Sequence, residues 1–162
     1  MKKLGLLFAM LCVCAATVFA QGGLRIVTGH PDFKIKIKRC EASGSTCIVD
    51  MVMMNAGSGD ISAYVYGGWN PETTIVYDDE GNSYSGGKIK VQTGSAAPSD
   101  LGVSVNLPSE VPVKVRLYIE GIVEEAAELS RIDLQVNCTA WNIGLNKKVK
   151  ISNVPISREG DF

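Results

Sequence analysis

Alternation with a period of two runs through most of this chain, and it restricts the fold more than any other feature. Phe33, Ile35 and Ile37 point one way and Lys34, Lys36 and Lys38 the other. Val49, Met51 and Met53 repeat the pattern after a turn, as do Ile89 and Val91 between Lys88, Lys90 and Gln92. Val103, Val105 and Leu107 alternate with Ser104 and Asn106, and Val113, Val115, Leu117 and Ile119 with Lys114, Arg116, Tyr118 and Glu120. Ile132, Leu134 and Val136, then Val149 and Ile151, close the series. Strands with one dry and one wet face are satisfied by antiparallel sheets stacked on their dry faces. Turn residues separate them: Ser43-Gly44, Asn55 to Gly59, Gly67-Gly68, Glu80-Gly81-Asn82 and Gly94 to Asp100. Only Glu124-Glu125-Ala126-Ala127-Glu128-Leu129 reads as helical, and it predicts one short crossover. The expectation is all-β: an immunoglobulin-like antiparallel sandwich of about seven to nine strands, with a closed barrel as the alternative.

The first hairpin tests the cysteines. A three-residue turn at Ala42-Ser43-Gly44 sets Ile37 opposite Val49, Ile35 opposite Met51 and Phe33 opposite Met53, so all six share a face. Cys40 then faces Thr46, and Cys47 lies on the other side of the sheet. A two-residue Ser43-Gly44 turn would oppose the two cysteines but pair Ile37 with Asp50. The hydrophobic pattern favours the first register, and with it Cys40, Cys47 and Cys138 as buried thiols rather than a disulfide framework. Whether any of them is bonded stays open at the level of sequence.

The first twenty residues have the layout of a cleaved signal peptide. Lys2 and Lys3 precede the apolar run Leu4 to Val13, and Val18-Phe19-Ala20 offers small residues before a cut at Gln21. The run is shorter than the roughly 20 residues of a spanning helix. Cys12 follows Leu11 and Cys14 follows Val13, which suits a lipid-modified cysteine poorly. Residues 21–162 are then expected as one domain outside the cytoplasm: periplasmic, secreted or at the cell surface. Loss of Lys2 and Lys3 takes the formal net charge from −1 to −3, so overall charge gives no reason to expect a nucleic acid partner. No later apolar stretch reaches membrane length.

Candidate chemistry is sparse. His30 is the one histidine, it precedes Pro31 in a loop, and no nucleophile elbow is visible. No catalytic residues, metal ligands or cofactor are assigned. Asp78, Asp79, Glu80 and Asn82 crowd one turn, which reads as a solvated hairpin rather than a calcium loop, because no acidic residue follows at the closing position. Lysines at 34, 36 and 38, and again at 148 and 150, form stripes that discourage edge-to-edge pairing. Asn137-Cys138-Thr139 fits a glycosylation acceptor pattern. Tyr64, Tyr66 and Trp69 are the candidate ligand-binding residues. If Ile61, Ala63 and Val65 face the core, both tyrosines face outward, where aromatic rings anchor protein partners or stack on sugars; the opposite parity makes them core. Trp141, beside Asn142, allows either role.

Several segments recur together in a known group. Phe33 to Asn55 reads as strand, polar hairpin and strand, closing on Asn55-Ala56-Gly57. Tyr77-Asp78-Asp79-Glu80-Gly81-Asn82-Ser83-Tyr84, Leu107-Pro108-Ser109-Glu110-Val111-Pro112 and Ile132-Asp133-Leu134 follow in order. This order resembles the telokin-like, immunoglobulin-like domains of unknown function in secreted bacterial proteins, of the immunoprotective extracellular protein type. The resemblance implies a β-sandwich and an extracytoplasmic life, and carries over no catalytic residue. The expected role is a non-enzymatic binding or accessory module of the bacterial cell envelope, with an envelope or extracellular protein as partner. A glycan ligand, a carboxylate-based polysaccharide hydrolase needing two acids about 5–9.5 Å apart, and a structural subunit of a surface assembly are the alternatives.

Overall fold

A computed structural model describes residues 22–70, 73–144 and 147–159. The expected signal peptide, residues 1–20, lies outside them. The strands in chain order are β1 (Arg25–Val27), β2 (Phe33–Ser43), β3 (Thr46–Asn55), β4 (Ile61–Val65), β5 (Ile75–Tyr77), β6 (Ser83–Tyr84), β7 (Ile89–Thr93), β8 (Val103–Leu107), β9 (Val113–Glu120), β10 (Glu128–Leu134), β11 (Val136–Asn137), β12 (Val149–Pro155) and β13 (Ser157–Arg158). One five-stranded sheet has the order β1-β12-β10-β5-β6, the other β13-β2-β3-β9-β7, and β11-β4-β8 form a smaller third. Every pairing between strands is antiparallel except β13 with β2. The result is the all-β, sandwich-like arrangement expected from the alternation. The strand count exceeds the expected range because several strands are only two or three residues long. Among the described residues no helix is long and apolar enough to cross a membrane.

The core gathers the inward positions of all three sheets. Val49, Met51 and Leu117 meet Ile132, Leu134 and Ile151, with Val65, Val105 and Leu107 from the small sheet. These are the residues that the period-two pattern places inward. Each fully buried aliphatic side chain contributes about 1.5–3 kcal/mol relative to exposure.

The first hairpin corrects the expected register. The chain turns at Gly44-Ser45, with Ser43 opposite Thr46 and Gly44 at φ +56°. Glycine at the first of two loop residues is favoured there because it adopts positive φ without strain. Ile37 pairs with Met51 and Ile35 with Met53, but a bulge between Ile37 and Arg39 shifts the register. The bulge reverses the parity of β2 halfway along. Phe33, Ile35 and Ile37 face inward before it, and Cys40 and Ala42 face inward after it. Cys40 therefore lies on the same face as Cys47, with the sulfurs 3.5 Å apart, contrary to the expectation that they occupy opposite faces. Both thiols and Cys138 are buried and unbonded.

The expected helical crossover is also corrected. Residues 124 and 125 form a turn, and Glu128 already begins β10. Neighbours satisfy the backbone groups that a helix would pair internally. Arg158 donates to the carbonyls of Val123 and Ala126, and the amides of Ala127 and Glu128 donate to Asp79 Oδ1. A segment this short gains too little from its own hydrogen bonds to offset helix nucleation.

On the outer face, the bulge sets Arg39 opposite Asp50, while Arg116 faces Asp50 from β9. Arg39 Nη2 and Arg116 Nε donate to the Asp50 carboxylate at 2.9 and 2.7 Å. Burial works against ionisation of Asp50, but hydrogen bonds from Arg116 and Arg39 outweigh it and hold the carboxyl below its usual range. A depressed folded value means that Asp50 stabilises fully above the unfolded-state value of about 3.9. That contribution is lost as pH falls through the lower folded value. Asp50→Asn is expected to cost about 1–2 kcal/mol at neutral pH, discounted for the solvent around both arginines. The variant should also show a shallower loss of thermal midpoint than the parent between about pH 5 and pH 2; thermal melts across that range measure both effects.

Candidate functional site

Tyr64 lies in β4 and Tyr66 just beyond its end, where Ala63 and Val65 are buried in the core. Of the two parities the sequence allows, the outward one is realised: both tyrosines are half-buried on the opposite face. Their rings meet edge to face, with centroids 4.7 Å apart and planes at 63°. Tyr64 pairs with Ser104 on β8 and with Asn137 on β11, so strands on both sides hold its backbone. Gly102, at φ +136°, lies beneath the Tyr64 ring: a Cβ there would come within 2.5 Å of Cε1.

Among the described residues Trp69 is the most exposed large hydrophobic, at 66%. Its backbone and that of the two preceding glycines are nevertheless tightly held. Gly68 N–H donates to the carbonyl of Ile89, Trp69 N–H to that of Asp100, and Thr74 N–H to that of Gly67. Gly67 and Gly68 are buried where a side chain has no room. A Cβ on Gly67 would collide with the Asp100 carbonyl, and one on Gly68 with the Gly86 carbonyl and Ile89. The bond to Asp100 brings Trp69 beside Leu101, itself 52% exposed. Tyr64, Tyr66, Trp69 and Leu101 thus belong to one region built from β4, the loop after it and the loop before β8. Leu101 and Gly102 escaped the sequence reading. Their signal is faint: an apolar residue set among Ser99, Asp100 and Gly102, which otherwise read as turn formers.

The other candidates have structural roles. Trp141 is buried and stacks on Phe33, with centroids 4.7 Å apart, and on His30 at 5.5 Å. His30 Nδ1 accepts the amide of Asp32. In the acidic turn, Asp78 is buried rather than solvated. Its Oδ1 accepts the amides of Glu80 and Asn82, and its Oδ2 accepts Asn82 Nδ2 and the Tyr84 hydroxyl at 2.6 Å. Burial opposes ionisation of this carboxyl, yet the bond from Tyr84 and those from Asn82 and Glu80 pull it below the usual range. Tyr84 moves the other way, pushed up to about 12 by burial and by Asp78. Asp78 is therefore the organiser of the β5–β6 hairpin. Lys34, Lys36 and Lys38 are exposed as expected, whereas Lys148 donates to the Thr73 carbonyl.

No protein-family model matches the sequence, and neither does any curated protein. Among solved structures the fold is similar to the apo PmoF2 PCuAC domain, with TM-score 0.50 and 10% identity over 82% of this chain and 95% of that one. A family 123 glycoside hydrolase from Clostridium perfringens matches with TM-score 0.41 and 12% identity over 83% of this chain; the match spans 26% of that enzyme. At these identities the first likeness is one of fold, and the second is too distant to carry an argument.

Close packing around Gly68 generates a prediction. Gly68→Ala should destabilise the protein by about 1–3 kcal/mol in urea unfolding, because backbone must move to admit a methyl group. Gly87→Ala, with no heavy atom within 4 Å of its added Cβ, should unfold like the parent.

Proposed function

We propose that this protein is a non-enzymatic binding module that recognises an extracytoplasmic protein through Tyr64, Tyr66, Trp69 and Leu101. The observation that carries the reading is Trp69, two-thirds exposed on a loop that backbone hydrogen bonds and two buried glycines hold in place. An exposed indole gains most from burial, and a backbone already held at Gly67 to Trp69 has little freedom left to lose when it binds. The adjacent Leu101 favours a protein over a glycan, since an aliphatic side chain fits an apolar pocket. The edge-to-face tyrosines also do not make a flat platform for a sugar ring. The signal-like residues 1–20 support placement outside the cytoplasm, and the motif order that resembles telokin-like secreted domains supports an accessory role in the envelope.

The test is cross-linking capture from native envelope and culture fractions, followed by affinity measurement on the captured partner. Trp69→Ala should leave stability within about 0.5 kcal/mol of the parent, as expected of an exposed position. It should weaken binding by more than about tenfold. A partner that binds parent and variant equally would place the interface elsewhere. Capture of no protein, with retention on a glycan panel that depends on Trp69, would replace the protein partner by a sugar.

A further inference from the structure

The thiols of Cys40 and Cys47 are joined by geometry that burial alone does not demand. Cys40 stands opposite Val49, and Cys47 opposite Ala42, so the two are diagonal neighbours across the β2–β3 hairpin. Their sulfurs are 3.5 Å apart. A disulfide needs about 2.05 Å, so closure asks for a movement of about 1.5 Å. The bulge at Lys38 lies two residues from Cys40, where the ladder is already interrupted.

We propose that Cys40 and Cys47 are a redox modification site, closing to a reversible disulfide on reaction with a small disulfide oxidant. Cys40, 5% exposed, is the member of the pair at the surface: it is among the residues around a cavity of about 460 Å³, with Leu24, Lys38, Arg39, Pro155 and Ile156. Lys38 and Arg39 at this cavity suit an anionic oxidant such as oxidised glutathione. Cys47 is fully buried, which fits it to resolve the intermediate from within.

The shared hydrogen bond separates the two thiols. The hydrogen bond from Cys40 pulls the Cys47 thiol down, against burial, and the Arg158 charge adds to the effect. Cys40 is pushed up chiefly by the same shared hydrogen bond and by burial. The first proton is therefore lost from Cys47, and the other is held between the two sulfurs. Attack from Cys40 needs that held proton to cross the 3.5 Å contact to Cys47, against this preference.

The Cys40 thiolate attacks one sulfur of the oxidant. The oxidant's S–S bond breaks, one glutathione thiolate leaves, and a mixed disulfide forms on Cys40. Cys47 then attacks Cys40 Sγ, the mixed bond breaks, and a second glutathione leaves. The two thiol protons of the protein end on the two released glutathiones. The protein loses two electrons, and the oxidant gains them. Excess small thiol reverses the sequence.

Trypsin makes the test direct. It releases both cysteines in one peptide, Cys40–Lys88, Cys138 in another, Ile132–Lys147, and Cys12 and Cys14 in a third. Native protein is treated with oxidised glutathione, quenched with acid, unfolded, alkylated and digested. The expected result is a Cys40–Lys88 peptide with no alkyl groups and a mass lower by two hydrogens, while Cys138 is alkylated. Cys47→Ser, with its fold checked by thermal melting, should hold one glutathione on Cys40. Two alkyl groups on the parent's Cys40–Lys88 peptide would overturn the proposal. So would a glutathione retained there in the parent, since Cys47 would then have failed to resolve it. The parent's result decides even if the variant does not fold.

Discussion

The bulge at Lys38 is the constraint on which much of this architecture turns. A strand as long as β2 must choose one parity, and its sequence contains apolar residues of both. Phe33, Ile35 and Ile37 occupy odd positions, Cys40 and Ala42 even ones. An unbroken ladder would expose one of these sets or bury the lysines. One inserted residue resolves the conflict and leaves Lys38 and Arg39 consecutive on the outside. The same displacement delivers Arg39 to Asp50, where it joins Arg116 from β9, so that one carboxylate ties three adjacent strands. It also brings the two thiols of the hairpin into contact.

A second pattern runs through the exposed aromatic region. There the structure invests backbone rather than side chains. Gly67, Gly68 and Gly102 let main chain approach main chain, and the resulting hydrogen bonds fix the loop that carries Trp69. Elsewhere aromatics are spent on packing. Trp141 stacks in the core against Phe33, and the Tyr84 hydroxyl secures Asp78. A tryptophan left outside on hydrogen-bonded backbone, while the fold buries Trp141, is the basis of the binding-module reading.

Side-chain pattern and backbone pairing differ in how far they reach along the chain. Alternation made the core residues of the long regular strands legible, because inward and outward positions follow from chemistry two residues apart; Val76, Ile122, Leu129, Ile143 and Val154, in short strands, strand ends and connections, carry no such pattern. It also assigned Ala63 and Val65 to the core in one of two parities, and so placed Tyr64 and Tyr66 outside under that choice. It failed where pairing is interrupted. The Cys40–Cys47 contact needs a bulge, which period two does not announce. Glu124 to Leu129 has helical composition, but its backbone partners, Arg158 and Asp79, come from elsewhere in the chain. The acidic turn looked solvated because nothing local shows that Tyr84 closes over Asp78.

The sequence by itself determined the fold class, the inward residues of the regularly alternating strands and most of the turn regions, since each depends on local chemistry: which side chains avoid water and which backbones bend. Only the tertiary structure decided register, the meeting of Cys40 with Cys47, the saturation of Asp78, and the adjacency of Trp69 and Leu101. Those depend on hydrogen bonds between segments far apart in the chain, such as Trp69 to Asp100. Their geometry is set when the sheets close, not by the residues on either side.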